Sequence, residues 1–307
     1  MEKHWTEANI PDLNGKVAVV TGSNSGIGWN TARALASKRA HVVMAVRSTE
    51  KGKAAADAIL REFPNAKITV SALDLTDLGS IRSFADHYLA AHSRLSLLIN
   101  NAGVMGVPFA KTKDGFEMQF GTNHLGHFAL TGLLLPALLG DGAARVVTVS
   151  SGAHMNAHLD FDHLQSEDGY RRWRAYGRSK LANLLFAFEL ERRFEARGQS
   201  AISVASHPGW AATNLASKSF GSRQEGLGKL VQGMFNVGAQ SAQMGALPTL
   251  FAATDPSVRG GEYFGPTGMG GMRGYPGPAR SSRAANDRED AKRLWRVSEE
   301  LTGVHYA

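Results

Sequence analysis

Tyr176 and Lys180 stand four residues apart in the run Tyr176-Gly177-Arg178-Ser179-Lys180. On a helix, positions i and i+4 share a face, so a phenol and an ammonium point into the same space. A free tyrosine is too weak an acid to trade protons near neutral pH. A neighbouring cation stabilises the phenolate and is expected to lower its pKa toward the working range, which makes the pair a candidate for acid–base work. A second run, Thr21-Gly22-Ser23-Asn24-Ser25-Gly26-Ile27-Gly28, lies where a strand pattern meets a helix pattern. Glycines at 22, 26 and 28 permit a tight turn and close backbone approach to phosphate oxygens. The helix start beyond them offers free N–H groups and a positive dipole end to a diphosphate. Either run alone is a weak signal; together they are specific.

These residues need a scaffold, and the chain alternates short β-branched runs with longer helical patterns. Lys16–Thr21, His41–Val46, Lys67–Ala72, Leu95–Asn100, Arg145–Ser150 and Ile202–Ser206 read as strands. Gly26–Lys38, Glu50–Phe63, Leu78–His92, Gln119–Leu139 and Tyr176–Arg197 read as helices. The strands are near-continuous apolar runs, the pattern of a parallel sheet covered on both faces. Repeated βα alternation predicts an α/β fold, a doubly wound parallel sheet with helices on both faces, and a ligand outside the carboxyl ends of the strands. One domain is expected over 1–307: a core at 12–206, a substrate lid and loops at 207–280 and a C-terminal helix within 281–307. The lid is expected to be helical over 214–240, with Phe220, Leu227, Leu230, Met234 and Phe235 as its apolar residues. Gly260–Pro278, with eight glycines, reads as irregular loop, and Asp287–Leu301 as an amphipathic helix.

The glycine spacing, G-x-x-x-G-x-G preceded by Thr, matches the T-G-x-x-x-G-x-G motif of the short-chain dehydrogenase/reductase family, which the chain resembles over roughly residues 12–265. Asn100-Asn101-Ala102-Gly103, Asn123-His124-Leu125-Gly126, Ser150-Ser151-Gly152, Tyr176 with Lys180, and His207-Pro208-Gly209 with Thr213 match its other motifs. Ser151-Gly152-Ala153-His154, His207-Pro208-Gly209 and Gly261–Gly265 most resemble its retinol-dehydrogenase-like branch and that branch's soluble bacterial relatives. The resemblance implies a Rossmann fold, a nicotinamide dinucleotide and hydride transfer from its pro-S face. It also implies a catalytic tetrad of Asn123, Ser151, Tyr176 and Lys180. Within that tetrad Lys180 also binds ribose and Asn123 holds a water of a proton relay. Asp74, beside Leu75, is implied at the adenine, Asn101, Ala102 and Gly103 at the adenosine half, and Pro208, Gly209 and Thr213 at the nicotinamide. Ser150 competes with Ser151 as the hydroxyl that binds the substrate oxygen; neighbours on a strand face opposite ways, and the resemblance favours Ser151.

A carboxylate at the end of the second strand would bind the ribose hydroxyls of NAD. Here Val46 is followed by Arg47, which suits a 2′-phosphate and adenine stacking. NADP(H) is therefore favoured and NAD(H) kept as the alternative, with Asn24 and Ser48 as further hydrogen-bonding groups. Ser25 stands where many NADP-using members carry a basic residue. The expected activity is reversible reduction of a hydrophobic carbonyl to an alcohol, as in a carbonyl reductase. The rivals are an NAD-dependent alcohol dehydrogenase and a non-catalytic dinucleotide-binding regulator. Met105, His154, Met155 and Trp210 are candidate substrate contacts, with a surface loop the equal reading for His154.

Composition narrows the field. There are 34 Lys+Arg against 27 Asp+Glu, net charge +7, without a basic stripe that would carry nucleic acid. With no cysteine, disulfides and thiolate chemistry are excluded. His154, His158 and His163 lack a carboxylate cluster, so no metal is expected. No run reaches the roughly 18 apolar residues of a membrane span, and no signal-like segment opens the chain. A cytoplasmic protein without membrane contact is the expectation. Pairing of helices 119–139 and 176–197 into dimers or tetramers is what the resemblance allows.

Overall fold

The computed structural model describes residues 4–166, 169–210 and 240–306. Eight strands form one sheet: β1 (Val17–Thr21), β2 (His41–Val46), β3 (Lys67–Ala72), β4 (Leu97–Asn100), β5 (Arg145–Val149), β6 (Ile202–Ser206), β7 (Tyr263–Gly268) and β8 (Arg273–Pro278). Their spatial order is β3-β2-β1-β4-β5-β6-β7-β8. All pairings are parallel except β7 with β8. The chain steps outward from β1 to β3 and then returns to place β4 beside β1. That reversal opens a crevice at the strand ends.

The apolar runs have the expected cause. Val19, Val43, Leu98 and Val146 point to one face, into a core with Phe84, Phe128 and Phe186. Val20, Val42, Ile99 and Val147 point to the other, against Leu35, Ile59 and Leu250. With both faces of the central strands buried, most of their positions are apolar, with small polar residues such as Thr148 and Ser203 among them. Helices α1 (Gly26–Ser37), α2 (Thr49–Glu62) and α3 (Leu78–Ala91) follow the first three strands.

Three expectations are corrected. The helix expected over Gln119–Leu139 is broken: a short α4 (Met118–Phe120), a π-turn at Gly121–Leu125, α5 (Gly126–Leu133) and α6 (Leu135–Leu139). Leu134, at φ −88° and ψ 0°, separates the last two ahead of Pro136. The helix carrying Tyr176, α7, begins earlier, at Arg172, and runs to Ala196. Gly260–Pro278 is chiefly a hairpin, because β7 joins β6 through Ala205↔Tyr263 and Ser206↔Phe264 and β8 closes the edge. Gly265 must be glycine there: a Cβ would lie 1.9 Å from His207 Nε2.

After α8 (Ala242–Thr254), the last helix, α9 (Arg288–Thr302), starts at Asp287, whose carboxylate accepts from the Glu289 and Asp290 N–H groups. It lies against α7. Trp295 meets Phe128 and Phe186 at ring distances of 5.1 and 5.8 Å. The Tyr306 hydroxyl donates to the Phe128 carbonyl at 2.7 Å. Among the described residues no helix is long and apolar enough to cross a membrane, and no group of side chains could hold a metal ion.

Candidate active site

A cleft of about 350 Å³ opens at the carboxyl end of the sheet. One end is the glycine turn. Gly22 and Gly26 have φ of +67° and +59°, where side chains are strained. A Cβ on Gly28 would lie 2.5 Å from both Asn101 Nδ2 and the Gly22 carbonyl. Asn101 holds that close position by donating to the Thr21 carbonyl at 2.7 Å. Ser25, just ahead of α1, makes no side-chain hydrogen bond to the helix. The first N–H groups of α1 are thus left uncapped, as an anion site needs. Gly22, Asn24, Ser25, Gly26, Ile27 and Gly28 border the cleft. Ser23 does not: its side chain is fully buried and its hydroxyl has no partner among the described residues.

Beyond the turn, Arg47, Ser48 and Lys51 border the same cleft, as do Asp74 and Leu75. Lys51 belongs to none of the sequence motifs, yet it borders the cleft. The signal was present, since Lys51 sits four residues after Arg47 at the start of α2, where Ser48 Oγ accepts from its N–H at 3.3 Å. Asp74 is braced by the Thr76 N–H and hydroxyl at 3.0 and 2.7 Å. This end offers uncapped helix N–H groups, two cations and glycine surfaces, a donor set that fits a phosphorylated dinucleotide.

The other end is built by β4, β5, the π-turn and α7. Asn101, Ala102, Gly103 and Met105 border it, with Tyr176, Lys180 and Pro208. Tyr176 is half-buried and Lys180 buried. Lys180 Nζ lies 5.8 Å from the centre of the Tyr176 ring and donates to the Val149 carbonyl at 3.0 Å. Burial pulls the ammonium down to about 8, so it remains a cation at neutral pH. Helical spacing by itself predicts that Lys180 lowers the pKa of the phenol. In the protein alone the balance runs the other way: burial raises the Tyr176 pKa, and a hydrogen bond with Ser151 opposes it. The phenol is therefore protonated at neutral pH. Both serines flank the tyrosine: Ser150 borders the cleft with its Oγ donating to the Lys180 carbonyl at 2.7 Å, whereas Ser151 is not among the bordering residues but hydrogen-bonds the phenol.

Asn123 sits in the π-turn, fully buried. Its Oδ1 accepts from the Val104 N–H at 2.8 Å, and its Nδ2 donates to the Val104 carbonyl and to Ser179 Oγ, both at 2.9 Å. His127 anchors the turn from below. Thr21 Oγ1 already accepts from the Asn101 and Ala102 N–H groups at 2.9 Å, so its one proton serves the Ile99 carbonyl at 3.3 Å and His127 Nε2 at 3.0 Å. Because a carbonyl can only accept, His127 Nδ1 carries the proton and donates to the Asn123 carbonyl at 3.0 Å, which leaves Nε2 of the neutral ring as an acceptor. One hydroxyl thus ties the glycine turn to the π-turn.

Neutral buried histidines have a measurable consequence. Burial holds His124 down at about 3 and His127 and His207 at about 4, against 6.5 when exposed. The unfolded chain takes up these protons as pH falls below about 6.5, the folded chain only near 4 for His127 and His207 and near 3 for His124. Stability should therefore fall from about pH 6.5 to about pH 3, most steeply above 4, and these groups contribute no slope above 6.5. Each tenfold difference in proton affinity between the two states is worth about 1.4 kcal/mol, so the loss amounts to several kcal/mol. Urea midpoints across that range will check it; a flat profile would show these rings are protonated or hydrated in the native state.

The candidate substrate contacts divide. Met105 borders the cleft. His154 does not: it is buried, its Nδ1 donates to the Ser151 carbonyl at 2.6 Å, and its Nε2 accepts from the Ser282 N–H at 3.2 Å. It props Ser151 against the segment before α9. Met155 and Trp210 are exposed and do not line the cleft. Gly209, at φ +64°, turns the chain after Pro208; a Cβ there would lie 2.4 Å from the Met272 carbonyl. Thr213, the apolar residues expected in the lid and most of the lid itself fall in 211–239, outside the described residues.

Comparison with known proteins agrees with this arrangement. Residues 16–224 match the short chain dehydrogenase family profile. The chain is 43% identical over 303 residues to mouse retinol dehydrogenase 12, covering 98% of this chain and 90% of that protein. It is 41% identical to human retinol dehydrogenase 11 over 294 residues, covering 95% and 87% respectively. Among solved structures, an uncharacterized protein from Mycobacterium Paratuberculosis superposes with TM-score 0.83 at 43% identity, covering 99% of this chain and all of that one. Levodione reductase shares the fold alone, at TM-score 0.66 and 20% identity. A glycine turn at the sheet's switch point, a tyrosine and a lysine on one helix face of the same cleft, and a profile match across two thirds of the sequence place this chain in the short-chain dehydrogenase/reductase family of NAD(P)(H)-dependent oxidoreductases.

Proposed function

We propose that the protein is an NADP(H)-dependent oxidoreductase that interconverts a hydrophobic carbonyl compound and its alcohol. The observation that carries this reading is that α7 sets Tyr176 and Lys180 into the same cleft that begins at the glycine turn. A bound nicotinamide would supply or take up the hydride. Tyr176, protonated at neutral pH, is the proton donor to a carbonyl oxygen, which favours reduction. Ser151 hydrogen-bonds the phenol and orients the same oxygen. Lys180 stays cationic beside the phenol and stabilises charge left on it as the proton departs. Asn123 holds the 104 region and, through Ser179, the α7 turn that carries Tyr176. Arg47 and Lys51 suit a 2′-phosphate better than bare ribose hydroxyls. The retinol dehydrogenases among its relatives support an elongated apolar substrate, retinoids included.

The test is a panel of apolar aldehydes, ketones and alcohols with NADPH, NADH and their oxidised forms, followed by nicotinamide absorbance. Turnover of apolar carbonyls with NADPH preferred is expected. Preference for NADH would favour the NAD-dependent alcohol dehydrogenase, and tight NADPH binding with a silent panel would favour the regulator.

A further inference from the structure

Trp173 is a large aromatic side chain left 47% exposed in the first turn of α7. It precedes Tyr176 by three residues, so both lie on one helix face. Their ring centres are 6.4 Å apart, edge to face at 85°. Indole, phenol and ammonium therefore form a row along α7, with Lys180 buried at the inner end and Trp173 at the outer end.

The indole rests on Gly106, where a Cβ would sit 3.1 to 3.3 Å from Cη2, Cζ2 and Cζ3. Gly106 lies between Met105 and Val107, both of which border the cleft. That support is held by a chain of hydrogen bonds. The Gly106 N–H donates to Gln119 Oε1 at 2.7 Å, and Gln119 Nε2 donates to the Tyr170 hydroxyl at 2.7 Å and to the Arg172 carbonyl at 2.8 Å. The Tyr170 hydroxyl in turn lies 3.0 Å from the Val107 carbonyl. Glu117 fixes Gln119 and Phe120 by accepting their N–H groups at 2.9 and 2.8 Å. A single buried carboxamide thus joins the loop beneath the indole to the residue beside it. Trp173 is not itself among the residues bordering the cleft, but it stands against Gly106, between two that are, and edge-on to the phenol, so its exposed face is placed to meet a flat apolar group reaching out from the site.

We propose that Trp173 is the specificity-determining wall of this site. Its indole packs on the unsaturated part of a flat, conjugated or aromatic carbonyl compound and aims the carbonyl oxygen at the Tyr176 hydroxyl. This rests on the oxidoreductase reading above and adds the substrate's shape to it. Trp173 acts through packing alone and moves no proton.

The experiment compares wild type, Trp173→Ala and Trp173→Phe in NADPH-dependent reduction of a conjugated aryl aldehyde and of a short saturated aldehyde. Trp173→Ala should lower kcat/KM for the aryl aldehyde about tenfold, chiefly through KM, and leave the saturated one within about twofold. Trp173→Phe should recover most of the loss. A parallel titration measures binding of a long aryl alcohol to the NADPH-loaded protein, a combination that cannot turn over. It should weaken about tenfold in Trp173→Ala while NADPH affinity holds. Equal losses for both aldehydes, or none for either, would overturn the proposal, as would unchanged alcohol binding. If the wild type reduces no carbonyl at all, the oxidoreductase reading fails, and the alcohol titration still decides the role of Trp173.

Discussion

Tyr176→Phe should bind NADPH as the wild type does and lose on the order of 10²- to 10⁴-fold in turnover, the range for removing a positioned general acid. The substitution deletes one hydroxyl and leaves the ring where it packs, edge-on to Trp173 and near the Lys180 ammonium. Ser151 loses its hydrogen-bond partner but keeps the one from the Ala153 N–H at 3.2 Å. Steady-state rates beside a cofactor-binding titration will check this. Turnover within tenfold of the wild type would remove Tyr176 from the acid role, and a matching loss of NADPH affinity would show that the hydroxyl holds the cofactor instead.

Arg47→Ala should weaken NADPH binding by about 10- to 100-fold and change NADH binding by less than about threefold. A charge-assisted hydrogen bond to an ionised group contributes roughly 1.5–3 kcal/mol, and NADH lacks the phosphate that would receive it. Lys51 should make the loss incomplete, since it borders the same end of the cleft, so the double variant Arg47→Ala, Lys51→Ala should go further. Dissociation constants for both reduced cofactors at two ionic strengths are the measurement. Equal weakening of NADPH and NADH would mean that Arg47 stacks on adenine rather than reading the phosphate.

Most of the scaffold was legible because its causes are local. Central strands buried on both faces are chiefly apolar, and the glycine turn announces itself because Gly22 and Gly26 hold positive φ and Gly28 has no room for a Cβ. Tyr176 and Lys180 were legible as a pair because helical spacing alone sets them on one face. What the sequence hid depends on distant partners. His154 reads equally as a cleft or a surface residue until Ser282, 128 positions away, donates to its ring. The π-turn is written in helix-compatible residues, and what distinguishes it is tertiary, the contacts of Asn123 and His127 with β1 and the residue after Gly103. The glycines and prolines of β7 and β8 have low strand propensity, yet pairing along the sheet edge overrides it. The direction in which the Tyr176 pKa moves was hidden for a related reason: spacing places a cation nearby but is silent on how much water the fold removes from the phenol.

Trp295, Val304 and Tyr306 belong to the same buried cluster as Val19 of the first strand and Phe128 of α5. Nascent chains stalled before α9 lack these partners, so they should present Phe128 and Phe186 to chaperones.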